Sequence, residues 1–145
     1  MHTTLLLIFI GFATIGRCEE RLVTSAGKHS GENGKMNLEL SSVDEKHIQF
    51  CVSWEGKRQL EDGLIATTTW EQKFDEPVPV APQKWAFCFV GGDELWFCNG
   101  EGIIYRYKGA ANGLESSANC TDKNLEEAAP KILKKWIKER RRPAL

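Results

Sequence analysis

The stretch Trp85–Tyr107, WAFCFVGGDELWFCNGEGIIYRY, decides the fold. Seven aromatic rings and two cysteines sit in short apolar runs separated by glycine turns, which reads as strands near Trp85–Val90, Leu95–Cys98 and Ile103–Lys108. Side chains alternate across a strand, so Trp85, Phe87 and Phe89 share one face while Ala86, Cys88 and Val90 share the other. A three-residue turn at Gly91-Gly92-Asp93 sets Phe89 opposite Leu95 and Phe87 opposite Phe97, with Cys88, Trp96 and Cys98 on the reverse face. Neither face is polar enough to meet water, so a single sheet with one wet side is a poor description. The expected fold is mainly β (α+β): an antiparallel sheet of about six strands curled into a small barrel or two-layer roll, with one C-terminal α-helix outside.

Upstream, period-2 alternation gives a strand at Met36, Leu38 and Leu40 and another at Ile48, Phe50, Val52 and Trp54. The β-branched run GLIATTTWEQKF is a third strand whose core face the pattern leaves open. DEPVPVAPQ follows as an extended loop, because its prolines cannot sit in a central strand. Downstream, GAANGLESSANCTD reads as a loop. From Leu125 the period becomes helical: Leu125, Ala128, Ala129, Ile132, Leu133, Trp136 and Ile137 fall on one half of the wheel, and Lys131, Lys134, Lys135, Lys138 and Arg141 on the other. Asn124 and Glu127 have capping-box spacing, and Pro130 forces a kink or a later start.

The ends set the compartment. Residues 1–18, MHTTLLLIFIGFATIGRC, place an apolar run before small residues as secretory signal peptides do, and the run is too short to span a bilayer. Cleavage after Gly16 or after Cys18 fits, and the second leaves four cysteines, an even number suited to an oxidising compartment. The division expected is a signal peptide over 1–18, a flexible polar leader over 19–35, and one globular domain over 36–141. Within that domain the β part covers 36–108 and the helix about 125–141. The product is expected to be secreted or otherwise extracytoplasmic.

Net charge is −1 over 145 residues, but residues 19–129 carry 11 Lys and Arg against 19 Asp and Glu, while residues 130–142 carry 7 against 1. An acidic body thus ends in a basic tail. Lys134, Lys135, Lys138 and Arg141 are candidates for contact with polyanions or a membrane surface. Docking on the acidic body is the favoured reading, and nucleic-acid binding is not expected of an exported acidic chain.

Four cysteines allow three connectivities. Cys88 with Cys98 across the hairpin, leaving Cys51 with Cys120, is preferred, and the pairings of Cys51 with Cys88 or with Cys98 stay open. Trp54, Trp85, Phe87, Phe89, Phe97 and Tyr105 are candidate ligand-lining residues if the barrel is hollow, and core if it is filled. Asn119-Cys120-Thr121 fits the acceptor pattern for N-glycosylation at Asn119. No nucleophile, P-loop or dinucleotide motif is found, and the mature histidines are too few and too scattered for a metal site, so no catalytic residue, metal or cofactor is assigned. The sequence reading is a monomeric, non-enzymatic binding domain for an unknown protein or small ligand. Two alternatives remain open: a carrier of a small apolar molecule in a lipocalin-like barrel, and a secreted hydrolase using paired turn carboxylates.

Overall fold

The computed structural model describes residues 19–73 and 76–140, with backbone only at 42 and 43. The expected signal peptide and Arg141 lie outside the described residues. Among those described, the chain forms ten strands and two helices: β1 (Glu20–Val23), β2 (Gly27–Ser30), β3 (Met36–Val43), β4 (His47–Gln59), β5 (Ile65–Lys73), β6 (Val78–Pro79), β7 (Ala86–Val90), β8 (Glu94–Cys98), β9 (Ile104–Ala110), β10 (Gly113–Ala118), α1 (Leu125–Ala128) and α2 (Lys131–Arg140).

The strands make two open antiparallel sheets instead of one curled barrel. One runs β1-β7-β8-β9-β10, the other β2-β3-β4-β5 with β6 beside β4. The GGD turn sets the register expected of it, Phe89 opposite Leu95 and Phe87 opposite Phe97. The aromatic row meets the second sheet: Phe87, Phe89, Leu95, Phe97 and Tyr107 pack on Met36, Leu38, Leu40, Ile48, Phe50 and Val52. The reverse face, with Ala86, Cys88, Trp96, Cys98 and Ile104, lies under Leu125, Ala129 and Leu133 of the helical segment. The first sheet is therefore the middle of three layers, which is why both faces of its hairpin are apolar.

Residues 19–35, read as a flexible leader, instead contain β1 and β2. Leu22 pairs with Cys88 and Val23 with Phe87, so β1 forms one edge of the middle sheet and buries Val23 in the sandwich. β2 pairs with β3, His29 opposite Leu38. Neither strand alternates for long enough to stand out from its polar surroundings. β10 likewise corrects the loop expected at GAANGLESSANCTD: its Ser-rich sequence sits on the opposite edge, paired with β9. β6 holds Pro79 at the end of a two-residue strand, where a missing N–H costs little.

The helical segment breaks at Pro130, with α1 before it and α2 starting at Lys131. The capping box does not form: the Asn124 side chain makes no cap bond, and the Asn124 amide donates to Asp122 Oδ1 at 3.1 Å. Where β4 crosses the end of β9 the backbones nearly touch. A Cβ on Gly109 would stand 2.2 Å from the Trp54 ring, and Trp54 Nε1 donates to the carbonyl of Ala110 at 2.8 Å.

Candidate interaction surface

The candidate ligand-lining rings close on one another. Phe87 and Phe97 stack with centroids 4.5 Å apart, Phe50 stands edge-on to Phe87 at 4.9 Å, Trp85 meets Phe87 at 6.1 Å, and Tyr105 stacks on Phe97 at 6.1 Å. These spacings are those of direct ring contact. Trp54, Trp85, Phe87, Phe89 and Phe97 are buried in the sandwich, and Tyr105 packs half-buried at its margin.

The four cysteines are thiols, and no disulfide is formed among the described residues. The register gives the reason for the hairpin pair. Cys88 lies opposite Trp96 and Cys98 opposite Ala86, so the two cysteines are diagonal neighbours. Diagonal Cβ atoms stand roughly 7 Å apart, against the about 4 Å of a disulfide. Cys51 is half-buried on β4 of one sheet and Cys120 is exposed beyond β10 of the other, so the fold does not join them either. Burial pushes the Cys88 thiol up to about 12, with the Glu20 carboxylate adding to the shift.

Along α2, Leu133 is fully buried and Ile132, Trp136 and Ile137 pack half-buried against the middle sheet. Lys134, Lys135 and Lys138 are exposed on the opposite side. Lys134 Nζ donates to the carbonyl of Glu127, and the Arg140 guanidinium lies 3.4 Å over the Trp136 ring. An open crevice of about 720 Å³ borders this end of the helix, lined by Asp44, Glu45, Gln83, Trp85, Trp136 and Arg140. Backbone N–H bonds from Lys46 and then His47 hold the Asp44 carboxyl below the usual range. Asn119 turns inward: its Oδ1 accepts from Ile104 N at 3.1 Å, and its Nδ2, the atom a glycan would occupy, donates to Gly102 O at 2.6 Å. Glu94 on the outer face of the middle sheet accepts from Arg106 at 2.7 Å and from Trp96 at 3.1 Å.

The β4–β5 hairpin carries a surface outside the expected site residues. Its strands run on past the crossing at Gly109, with Gly56 opposite Thr68 and Gln59 opposite Ile65. The turn closes through Leu60 N to Leu64 O at 2.7 Å, and Gly63 takes φ +84, a conformation that glycine adopts without strain. At this tip Leu60, Leu64 and Ile65 are 42%, 65% and 68% exposed. A usable signal was present: Leu60 and Leu64-Ile65 flank Glu-Asp-Gly, so large apolar residues stand at a turn where polar ones are usual.

No protein-family model, curated protein or solved structure matches the chain.

Proposed function

We propose that this chain is a small exported, non-catalytic interaction domain that meets its partner through the β4–β5 arm. The observation that carries the reading is the cluster of Leu60, Leu64 and Ile65 at one hairpin tip. Large apolar side chains gathered at one exposed point mark a contact surface more often than chance exposure does. The ring packing supports a surface over an interior site, since the aromatic side chains of Phe50, Phe87 and Phe97 occupy the space a cargo would need. Asp44 leans the same way, since backbone N–H bonds from Lys46 and His47 hold its carboxyl below the usual range, whereas a general acid needs its proton retained near neutral pH. Export is supported by the apolar run before small residues in the first eighteen positions.

The test uses an apolar probe, a fluorescent fatty acid, titrated into isotope-labelled protein. Chemical-shift changes centred on Leu60, Leu64 and Ile65, and lost when all three are changed to Ser, are expected. Changes centred on Phe87 and Phe97 would overturn the surface reading in favour of a carrier.

A further inference from the structure

A second surface departs from what stability alone favours, the outer face of α2. Lys131, Lys134, Lys135 and Lys138 are all exposed there. At 3.6 residues per turn and 1.5 Å per residue they cover about 100° of the helix circumference and a line about 10 Å long. Their spacings of three and four make like charges neighbours: Lys131 beside Lys134 and Lys135, and Lys138 beside the same two, each an unfavourable pairing. Lys131 also stands in the first turn, which holds no acid, where the helix macrodipole favours an anion. The single acid of the helix, Glu139, pairs with Arg140 at 3.3 Å instead of with Lys135 one turn back.

The acidic body does not answer these cations. Among the described residues Lys131, Lys135 and Lys138 hold no ion pair, and Lys134 Nζ donates to the carbonyl of Glu127. The tail docks by its apolar face, through Ile132, Leu133, Trp136 and Ile137, and the lysines take no part in that contact. A helix face built only to be solvated mixes signs at these spacings. One that keeps a single sign against its own repulsion, with no gain to the fold, fits a partner of the opposite sign.

We propose that the lysine face of α2 is a docking surface for a linear extracellular polyanion, a sulfated polysaccharide. The inference rests on the export read from the first eighteen residues and is independent of the β4–β5 arm. Shape, packing and compartment choose this occupant. The crevices flanking the end of the helix are lined by Arg140 and by none of the four lysines, so a small anion finds no cup, while an elongated one lies along the row. The apolar face that a helix buries when it lies on a bilayer is taken by the middle sheet. The anionic lipids that draw basic segments sit in the cytoplasmic leaflet, which an exported chain does not face. Lysine-rich runs of this length meet nucleic acid or heparin-like chains, and the second share their compartment with an exported protein. An ammonium acts as a point charge, so a row of lysines needs charge spacing from its partner and no fixed fork geometry.

The test is a calorimetric titration of heparin into the full chain at a series of salt concentrations. The affinity should fall as salt is added, with a slope of log K on log salt near about −3, since each of four lysines contributes about 0.7 on a single-stranded polyanion. Changing all four to Gln should weaken binding at least about tenfold at low salt, and changing all four to Arg should preserve it, with the circular dichroism unaltered in both. Changing four exposed lysines of the body, Lys28, Lys35, Lys46 and Lys57, to Gln alters net charge by the same amount and should leave the affinity nearly unchanged. A chain that ignores heparin at low salt overturns the proposal, and so does equal loss from the two Gln sets, which reduces the effect to net charge. Vesicles of equal parts phosphatidylcholine and phosphatidylserine, and duplex DNA, are the rival probes. Binding to either that is tighter than to heparin and lost with the α2 lysines assigns the face to a membrane or to nucleic acid and overturns the choice. Recovery of the chain from the medium of a secreting host checks the export premise separately, and a chain retained inside the cell loses this partner whatever its affinity for heparin. The apolar probe of the arm reports on Leu60, Leu64 and Ile65, so failure of the arm and failure of the lysine face are distinguishable.

Discussion

At the scale of single residues, the tightest constraint is the contact of Gly109 with the Trp54 ring. A methyl group there would enter a ring that is itself held by its bond to the Ala110 carbonyl. Gly109→Ala should therefore destabilise the fold by about 1 to 3 kcal/mol, the usual cost of overpacking, as read by chemical denaturation. Phe87 and Phe97, both fully buried and stacked, should each cost about 3 to 5 kcal/mol when cut to Ala. The buried Cys88 thiol gives a chemical readout. Because burial holds its pKa up to about 12, alkylation at pH 8 should label Cys120 in the native protein and leave Cys88 untouched, with all four described cysteines labelled after unfolding without reductant. Failure of Cys88 and Cys98 to label even then would mean that they had joined. The same shift fixes a pH dependence. An unfolded thiol releases its proton near pH ~8.5 while the folded one keeps it, so this contribution is whole below that value and is lost as pH climbs towards 12. Tyr107, also pushed up by burial, adds to the loss at the alkaline end. Melting temperature followed from pH 8 upward should fall.

At the scale of elements, six strands were legible because each alternates over enough residues to be seen: β3, β4, β5, β7, β8 and β9. β1, β2, β6 and β10 were not, for a shared reason. They are short edge or margin strands with at most one or two core residues, such as Val23 in β1 and Leu114 in β10, and none in β2. The pairing partner defines such a strand, and its own sequence does not. The helix was legible in its faces and its break at Pro130. Its roles separate by substitution: Leu133→Ala, at a fully buried position, should cost about 2 to 5 kcal/mol. Changing exposed Lys134, Lys135 and Lys138 to Gln should each stay within about 0.5 kcal/mol by thermal or chemical unfolding. Equal effects from the two sets would contradict the docked arrangement.

At the scale of the whole molecule, the sequence announced that both faces of the Trp85–Tyr107 unit are covered and assigned the helix to the outer one, but not the second sheet to the inner one. A barrel wall and the middle layer of a sandwich carry the same alternation, and only the partner sheet distinguishes them. The ring residues were open to two readings for the same reason, since a filled core and a hollow one are lined by the same side chains. Leu64 and Ile65 lie in the run read as the third strand, but the alternation there leaves the core face open, so their exposure at the tip is not legible.

The placement of β1 bears on how the chain reaches this state. β1 leaves the ribosome before the other described strands, yet Glu20 pairs with Val90 and Val23 with Phe87, far along the chain, whereas β7 to β10 form a meander of neighbours. Local hairpins close fast and distant pairings slowly, so the meander should assemble early and β1 should dock last. Until then Cys88 and the ladder edge of β7 are open to solvent. In a refolding time course, protection of the Arg21 and Val23 amides, which face β7, should trail that of Trp96 and Phe97. Under the export proposed above, a chain held in translocation, with β1 on one side of a membrane and β7 on the other, has no means of completing its middle sheet and remains unfolded enough to pass.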